Sequence, residues 1–314
     1  MLPDWLALDL RPGPSANVVL VRGPDGALLV DCGAGTRASD ARLDAFLAGH
    51  GLTPADLALL VTTHWHADHA GGAARLQREH GVPVAAGAAE AALMAAGDPR
   101  AFDGPWLAWP VAPYAVARPL VGGDVLTDAG VALEVIPTPG QTPGHLALWA
   151  PADRVMVTGD LLQRHDVGWM PAGGPWAEGA ADALIASVER LAALDARIAV
   201  PGHGPPVEDV PDAVERSLAR YRRWREDPEP AGWHAGRRAL VSLAMLERLR
   251  LDGVHERVEV MGWLQDIATL AGTTPAGAVD RLVAELTGSG ALAVRDGALE
   301  PTMAFEPRDR SPQR

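Results

Sequence analysis

Near the start of the chain, residues 17–22 read Asn-Val-Val-Leu-Val-Arg, Gly23-Pro24-Asp25-Gly26 interrupts the run, and residues 27–33 resume as Ala-Leu-Leu-Val-Asp-Cys-Gly. Two apolar stretches around a Gly-Pro-Asp-Gly turn predict a β-hairpin, and with it the beginning of an antiparallel sheet. The period then changes. Residues 36–49 carry Leu43, Phe46 and Leu47 at helical spacing, and residues 57–62 form a short apolar run that stops just before a group of histidines. Further strands are predicted at 131–136, 146–150, 154–158 and 198–200, with a helix at 182–194. Strands and helices interleave and hairpins occur, which places the chain in the α+β class. Helices covering two sheets packed face to face, a four-layer αββα arrangement, would satisfy this pattern, and periodicity leaves other mixed layouts open.

The C-terminal third reads differently. A basic amphipathic helix is predicted at 216–225, followed by Glu-Asp-Pro-Glu-Pro-Ala-Gly-Trp-His-Ala-Gly at 226–236, whose prolines, glycines and acids predict a linker. The expected division is one module at 1–228 and a second at 237–314. Within the second, helices are predicted at 238–251 and 258–270, and a third starts at Thr274-Pro275, with proline in its first position. A short hairpin follows around Arg295-Asp296-Gly297. Three helices and a hairpin suggest a winged-helix-like unit. Its third helix offers only Arg281 against Asp280 and Glu285, which favours a structural or dimerising role over DNA reading.

Composition narrows the partners. At 314 residues and 48% hydrophobic content the chain can bury a sizeable core. The 27 Lys and Arg against 40 Asp and Glu give a formal charge of −13, which repels polyanions and disfavours nucleic acid. The single cysteine, Cys32, excludes an intrachain disulfide and reads as a buried strand-end residue. The N-terminus has no basic start or sustained apolar run, so a cytoplasmic protein that does not enter membranes is expected.

The strongest chemistry lies at Thr63-His64-Trp65-His66-Ala67-Asp68-His69-Ala70-Gly71-Gly72. Imidazole is the commonest ligand for zinc and similar ions, and two histidines one residue apart at a strand end can face one ion together. Asp68 and His69 follow as the chain turns into a helix, which places a carboxylate and a third imidazole near a second position. Two metal sites from one loop become feasible.

With these residues the chain resembles the metallo-β-lactamase superfamily, whose signature is His-x-His-x-Asp-His after a strand. Leu29-Val30-Asp31-Cys32-Gly33, Thr158-Gly159-Asp160 and Pro201-Gly202-His203-Gly204 match further pieces in order, over about residues 15–225. The resemblance implies the αββα fold and two divalent ions, zinc with iron or manganese as alternatives. It also implies that Asp160 bridges them and that His203 completes the second site with Asp68 and His69. Water between two such ions loses a proton near neutral pH, so no serine or cysteine nucleophile is needed, and Asp68 is the expected catalytic group that orients it and passes its proton on.

One departure concerns the first site. The superfamily's remaining histidine stands in Thr-Pro-Gly-His, and here Thr138-Pro139-Gly140-Gln141 precedes Thr142-Pro143-Gly144-His145. Alignment points to Gln141 and ligand chemistry to His145. His165 is a third option, and His50, His80, His234 and His255 are assigned to surface or structure. Ten tryptophans, among them Trp65, Trp106, Trp109, Trp169 and Trp176 in predicted loops, suggest a partly apolar substrate. A bridging aspartate resembles glyoxalase-II-type thioesterases, lactonases, phosphodiesterases and ribonucleases more than true β-lactamases. The two-part layout resembles a branch holding an endoribonuclease and polyketide-releasing thioesterases. The expectation is a hydrolase of a small thioester, lactone or ester, with a homodimer compatible. The alternatives are an endoribonuclease or phosphodiesterase, and a non-catalytic, metal-poor binding protein.

Overall fold

The computed structural model describes residues 1–11, 15–103, 106 and 111–302. The predicted hairpin is present as β2 (Val18–Gly23) and β3 (Gly26–Val30), joined by a two-residue turn and preceded by β1 (Leu6–Asp9), all antiparallel. The sheet does not stay antiparallel. β4 (Leu57–Val61), β5 (Val84–Gly87) and β6 (Val116–Leu120) extend it in parallel, giving six strands in the order β1-β2-β3-β4-β5-β6. Parallel neighbours need a crossover, here through α1 (Arg37–Gly49), α2 (Ala67–Ala70) with α3 (Ala73–His80), and α4 (Ala88–Ala95). A second sheet holds β7 (Val125–Leu126), β8 (Leu133–Pro137), β9 (Leu146–Ala150), β10 (Val155–Gly159) and β11 (Ile198–Pro201), in the order β11-β10-β9-β8-β7. Only the β10–β11 pair in it is parallel.

The two-residue period of these strands builds the layers. Val19 and Val21 of β2, Leu146, Leu148 and Ala150 of β9, Val155 and Val157 of β10, and Ile198 and Val200 of β11 meet in one buried cluster between the sheets. The intervening Val18 and Leu20 instead pack outward with Leu43 and Leu47 of α1 and Leu76 of α3. On the far side Ala147, Trp149, Met156 and Ala199 pack against α5 (Ala180–Ala192) and α6 (Val210–Glu226). Both sheets are therefore apolar on both faces, and helix, sheet, sheet and helix stack as the αββα fold.

The stretch expected to be a linker is helical from its fourth residue: α7 spans Glu229–Leu246, with Ala231 and Trp233 buried. Prolines 228 and 230 fall at its cap and first turn, where the missing N–H groups would have had no intrahelical partner, so they start the helix rather than break the chain. The helix predicted at 238–251 therefore ends early, and Leu249–Arg250 is strand β12. The helix predicted at 258–270 is two, α8 (Val254–Glu259) and α9 (Gly262–Leu270), because Met261 takes an extended backbone that buries its side chain. α10 (Pro275–Gly288) begins where predicted, capped by the Thr274 side chain accepting from the Gly277 N–H. The hairpin β13 (Leu292–Arg295) and β14 (Ala298–Pro301) joins β12 in a three-stranded sheet, and one apolar cluster ties these elements to α7. Among the described residues no helix is long and apolar enough to cross a membrane.

Candidate metal centre

The chemical residues gather where strands end. His64 and His66 follow β4, Asp68 and His69 lie in α2, Asp160 follows β10, His203 follows β11, and Gln141 and His145 lie between β8 and β9. Backbone bonds lock these loops together: Thr63 C=O accepts from Leu146 N–H, Gly159 C=O from Gly202 N–H, and Gly202 C=O from Asn17 N–H.

Two groups of ligand atoms form, each within 4.8 Å of one another: His64, His69 and Asp160, and Asp68, His69 and His203. His69 Nε2 lies 3.2 Å from Asp160 Oδ1 and 3.7 Å from Asp68 Oδ2. His203 Nε2 lies 3.0 Å from Asp68 Oδ2 and 3.4 Å from Asp160 Oδ1. His69 Nε2, His203 Nε2 and Asp160 Oδ1 are buried and make no well-directed hydrogen bond within the described residues. Such buried groups ordinarily find partners, so three facing one another imply a ligand. Gly202 keeps the space open, because a Cβ there would overlap His69 Cε1 and Asp160 Oδ1.

His66 belongs to neither group; its Nδ1 lies 2.9 Å from His64 Nε2 and 3.3 Å from Gln141 Nε2. Gln141 Nε2 donates to Asp160 Oδ2 at 2.9 Å, which puts the amide inside the cluster. His145 stands behind it with both ring nitrogens engaged. Its Nε2 accepts from the Asp160 N–H at 3.3 Å, and its Nδ1 lies 2.8 Å from Thr138 Oγ1. Burial pushes the His145 imidazole down to about 3, so it is neutral, with its Nε2 lone pair turned to the backbone. His165 is exposed and takes no part in the cluster.

Electrostatics divides the imidazoles. Burial holds His64 well below its ordinary value, helped by the neighbouring imidazoles. Burial also opposes charge on His69, but Asp31, Asp68 and Asp160 outweigh it and raise it well above the ordinary value. Asp160 is likewise buried, yet His203, His69 and His64 hold it well below the carboxylate range. A cluster that wants positive charge among carboxylates and neutral imidazoles elsewhere is suited to a cation.

Asp31 is the residue whose part went unread. It follows β3 at φ 57, unusual for a non-glycine, and its Oδ2 lies 2.7 Å from His69 Nδ1. Its Oδ1 accepts from Thr63 N–H at 2.7 Å and its Oδ2 from Thr63 Oγ1 at 2.9 Å. A carboxylate behind a histidine fixes the ring's orientation and tautomer, and the signal available was an aspartate directly after a buried apolar strand. The tryptophans divide too. Trp169 packs on His66 and Trp106 on Trp169, whereas Trp65 is fully buried against Phe102 and Trp176. Trp109 lies outside the described residues.

Fold and centre together define a four-layer αββα protein built around a candidate histidine–aspartate metal cage. The family model of the metallo-beta-lactamase superfamily matches residues 11–203, and the chain belongs to that superfamily. It is 23% identical over 240 residues to the "Lactamase-like protein nscB" of Trichophyton equinum, covering 76% of this chain and 59% of that protein. It is 24% identical over 211 residues to an "Atrochrysone carboxyl ACP thioesterase" of Aspergillus fumigatus, covering 67% of this chain and 42% of the other. This chain thus spans about three-fifths or less of the length of these two curated relatives. Among solved structures, the metallo-beta-lactamase family protein TTHA1429 of Thermus thermophilus aligns with a TM-score of 0.63 and 25% identity, covering 96% of this chain and 100% of that one.

Proposed function

We propose that the chain is a metal-dependent hydrolase of a thioester, lactone or ester with a partly apolar acyl group. The observation that carries this reading is the convergence of His69 Nε2, His203 Nε2 and Asp160 Oδ1, buried and without well-directed partners among the described residues. Imidazoles and carboxylates suit zinc, iron or manganese. His64, His66 and Gln141 would serve one ion and Asp68, His69 and His203 the other, with Asp160 between them. His145 would steady Asp160 rather than bind. Bound divalent ions would lower the pKa of a water to about 7 and polarise the carbonyl under attack.

The protein's own groups supply the rest. Asp31 orients His69, Gln141 and the His145 imidazole hold the Asp160 side chain and backbone, and Asp68 would take a proton and release it. Asp68 suits that role because its side chain is 19% exposed, whereas Asp160's is 5%. A thioester is favoured among substrates because a relative carries a thioesterase name and the charge of −13 opposes RNA. In this reading residues 1–228 bear every ligand and 237–314 form a winged-helix-like tail, compatible with a homodimer. The test is metal analysis followed by assay of the zinc-loaded protein against thioesters, lactones, phosphodiesters and RNA. About two ions per chain, as a dinuclear site requires, with thioester hydrolysis lost in His69→Ala supports the proposal. Cleavage of RNA or phosphodiesters alone, or a purified protein that takes up no metal, overturns it.

A further inference from the structure

A chain of contacts leads from the tail to the centre. Asp266, on α9, accepts a hydrogen bond from Trp106 Nε1. The Trp106 indole is wedged where a Cβ at Gly262 of α9, or at Gly174 in the loop after β10, would overlap it. A Cβ at Gly173 would likewise overlap the Asp266 carboxylate, so tail and loop meet with no room for a larger residue. Trp106 then stacks on Trp169, ring centroids 4.8 Å apart at 30°, and Trp169 lies against His66 at 5.1 Å. Aromatic pairs of this kind attract beyond the area they bury, which biases a ring's orientation. Between Trp106 and His66, Trp169 is only 7% exposed and has little surface to offer a substrate.

We infer that Asp266, Trp106 and Trp169 are positioning residues through which the tail sets the His66 imidazole at the metal centre. The inference rests on the metal-centre reading and adds to it that 237–314 act on one ligand. Without Asp266, Trp106 loses the acceptor that fixes its ring, Trp169 loses its support, and His66 gains freedom on the side facing Trp169. The relay leaves His69 untouched, because Asp31, from the same module as His69, holds that ring.

The experiment uses the full chain with zinc as the probe. In Asp266→Ala, competition with a chelator should show one of two ions held about tenfold or more weakly, the range typical of residues behind a ligand, and the other unchanged. Asp266→Asn keeps an acceptor oxygen and should restore the wild-type affinity. Hydrogen exchange of residues 64–70 in the metal-free protein should rise in Asp266→Ala and not in Asp266→Asn. Should Asp266→Ala fail to fold, Trp106→Phe, which keeps an aromatic ring but removes the indole N–H, takes its place. Unchanged affinity and exchange in a folded variant overturn the inference, as does an equal loss of both ions. A wild type that binds no zinc would refute the metal reading, and the exchange measurement would still decide the relay.

Discussion

At the scale of single residues, Gln141 and His145 separate chemistry that sequence order had left tied. His145 has its Nε2 lone pair turned to the Asp160 N–H and its Nδ1 beside Thr138, while the Gln141 amide lies between Asp160 and His66. His145→Ala should therefore keep its metal and lose stability, by about 1 kcal/mol for the hydrogen bond and more for the cavity. Gln141→His should tighten the weaker ion, since imidazole is the better ligand. Metal content and chelator titration of both variants check this. Loss of an ion from His145→Ala at unchanged unfolding midpoint would make His145 the ligand. The dense cluster at 64–69 was legible because few physical needs other than metal binding concentrate three imidazoles and a carboxylate. The anchoring by Asp31 was not, because the chain brings it beside His69 from 38 positions away.

At the scale of elements, alternation along β9 makes a sharp prediction. Leu148 faces the interior between the sheets and is 1% exposed, whereas Trp149 faces the helices on the outer side. Leu148→Ala should cost about 2–5 kcal/mol and Leu148→Met less than about 1.5 kcal/mol. Denaturant unfolding of the two variants checks it, and equal losses would contradict the packing. The strands β2, β3, β4, β8, β9, β10 and β11 were readable from apolar runs and turns. β1, β5, β6 and β7 were not. They hold two to five residues each, and pairing with a neighbour makes them strands. The misread linker has the opposite cause. Proline and glycine composition signals a break in general, but prolines at a helix start fit without cost, and burial of Trp233 favours the helix.

At the scale of the molecule, Asp166 joins the loop after Asp160 to the helices leading into the tail. It pairs with Arg220 of α6 at 2.8 Å and with His234 and Arg238 of α7 at 3.2 and 3.6 Å. Burial opposes the charge on Asp166, but His234 and Arg238 outweigh it and hold it well below the carboxylate range. Its contribution is present above the ordinary carboxylate value of about 4 and lost only under stronger acid. His234 is lowered because burial outweighs Asp166, with Arg238 and Arg220 adding to the effect. The unfolded chain takes up that proton first, so this contribution to stability declines as pH falls below about 6.5. Between pH 7 and 5 the wild-type Tm should drop further than that of His234→Gln, measured by thermal unfolding, and parallel curves would refute the assignment. What the sequence determined by itself was local: the alternating strands, the capped helix starts and the ligand-rich loop, each specified by neighbours a few positions apart. Tertiary structure alone decided which groups from distant strand ends share a space, that the Gln141 amide contacts Asp160 and His66 while the His145 Nε2 faces the Asp160 N–H, and that Trp106 and Trp169 stand between Asp266 and His66. Those outcomes depend on how layers stack and loops close, and burial there sets both the cost of a charge and the partners that offset it.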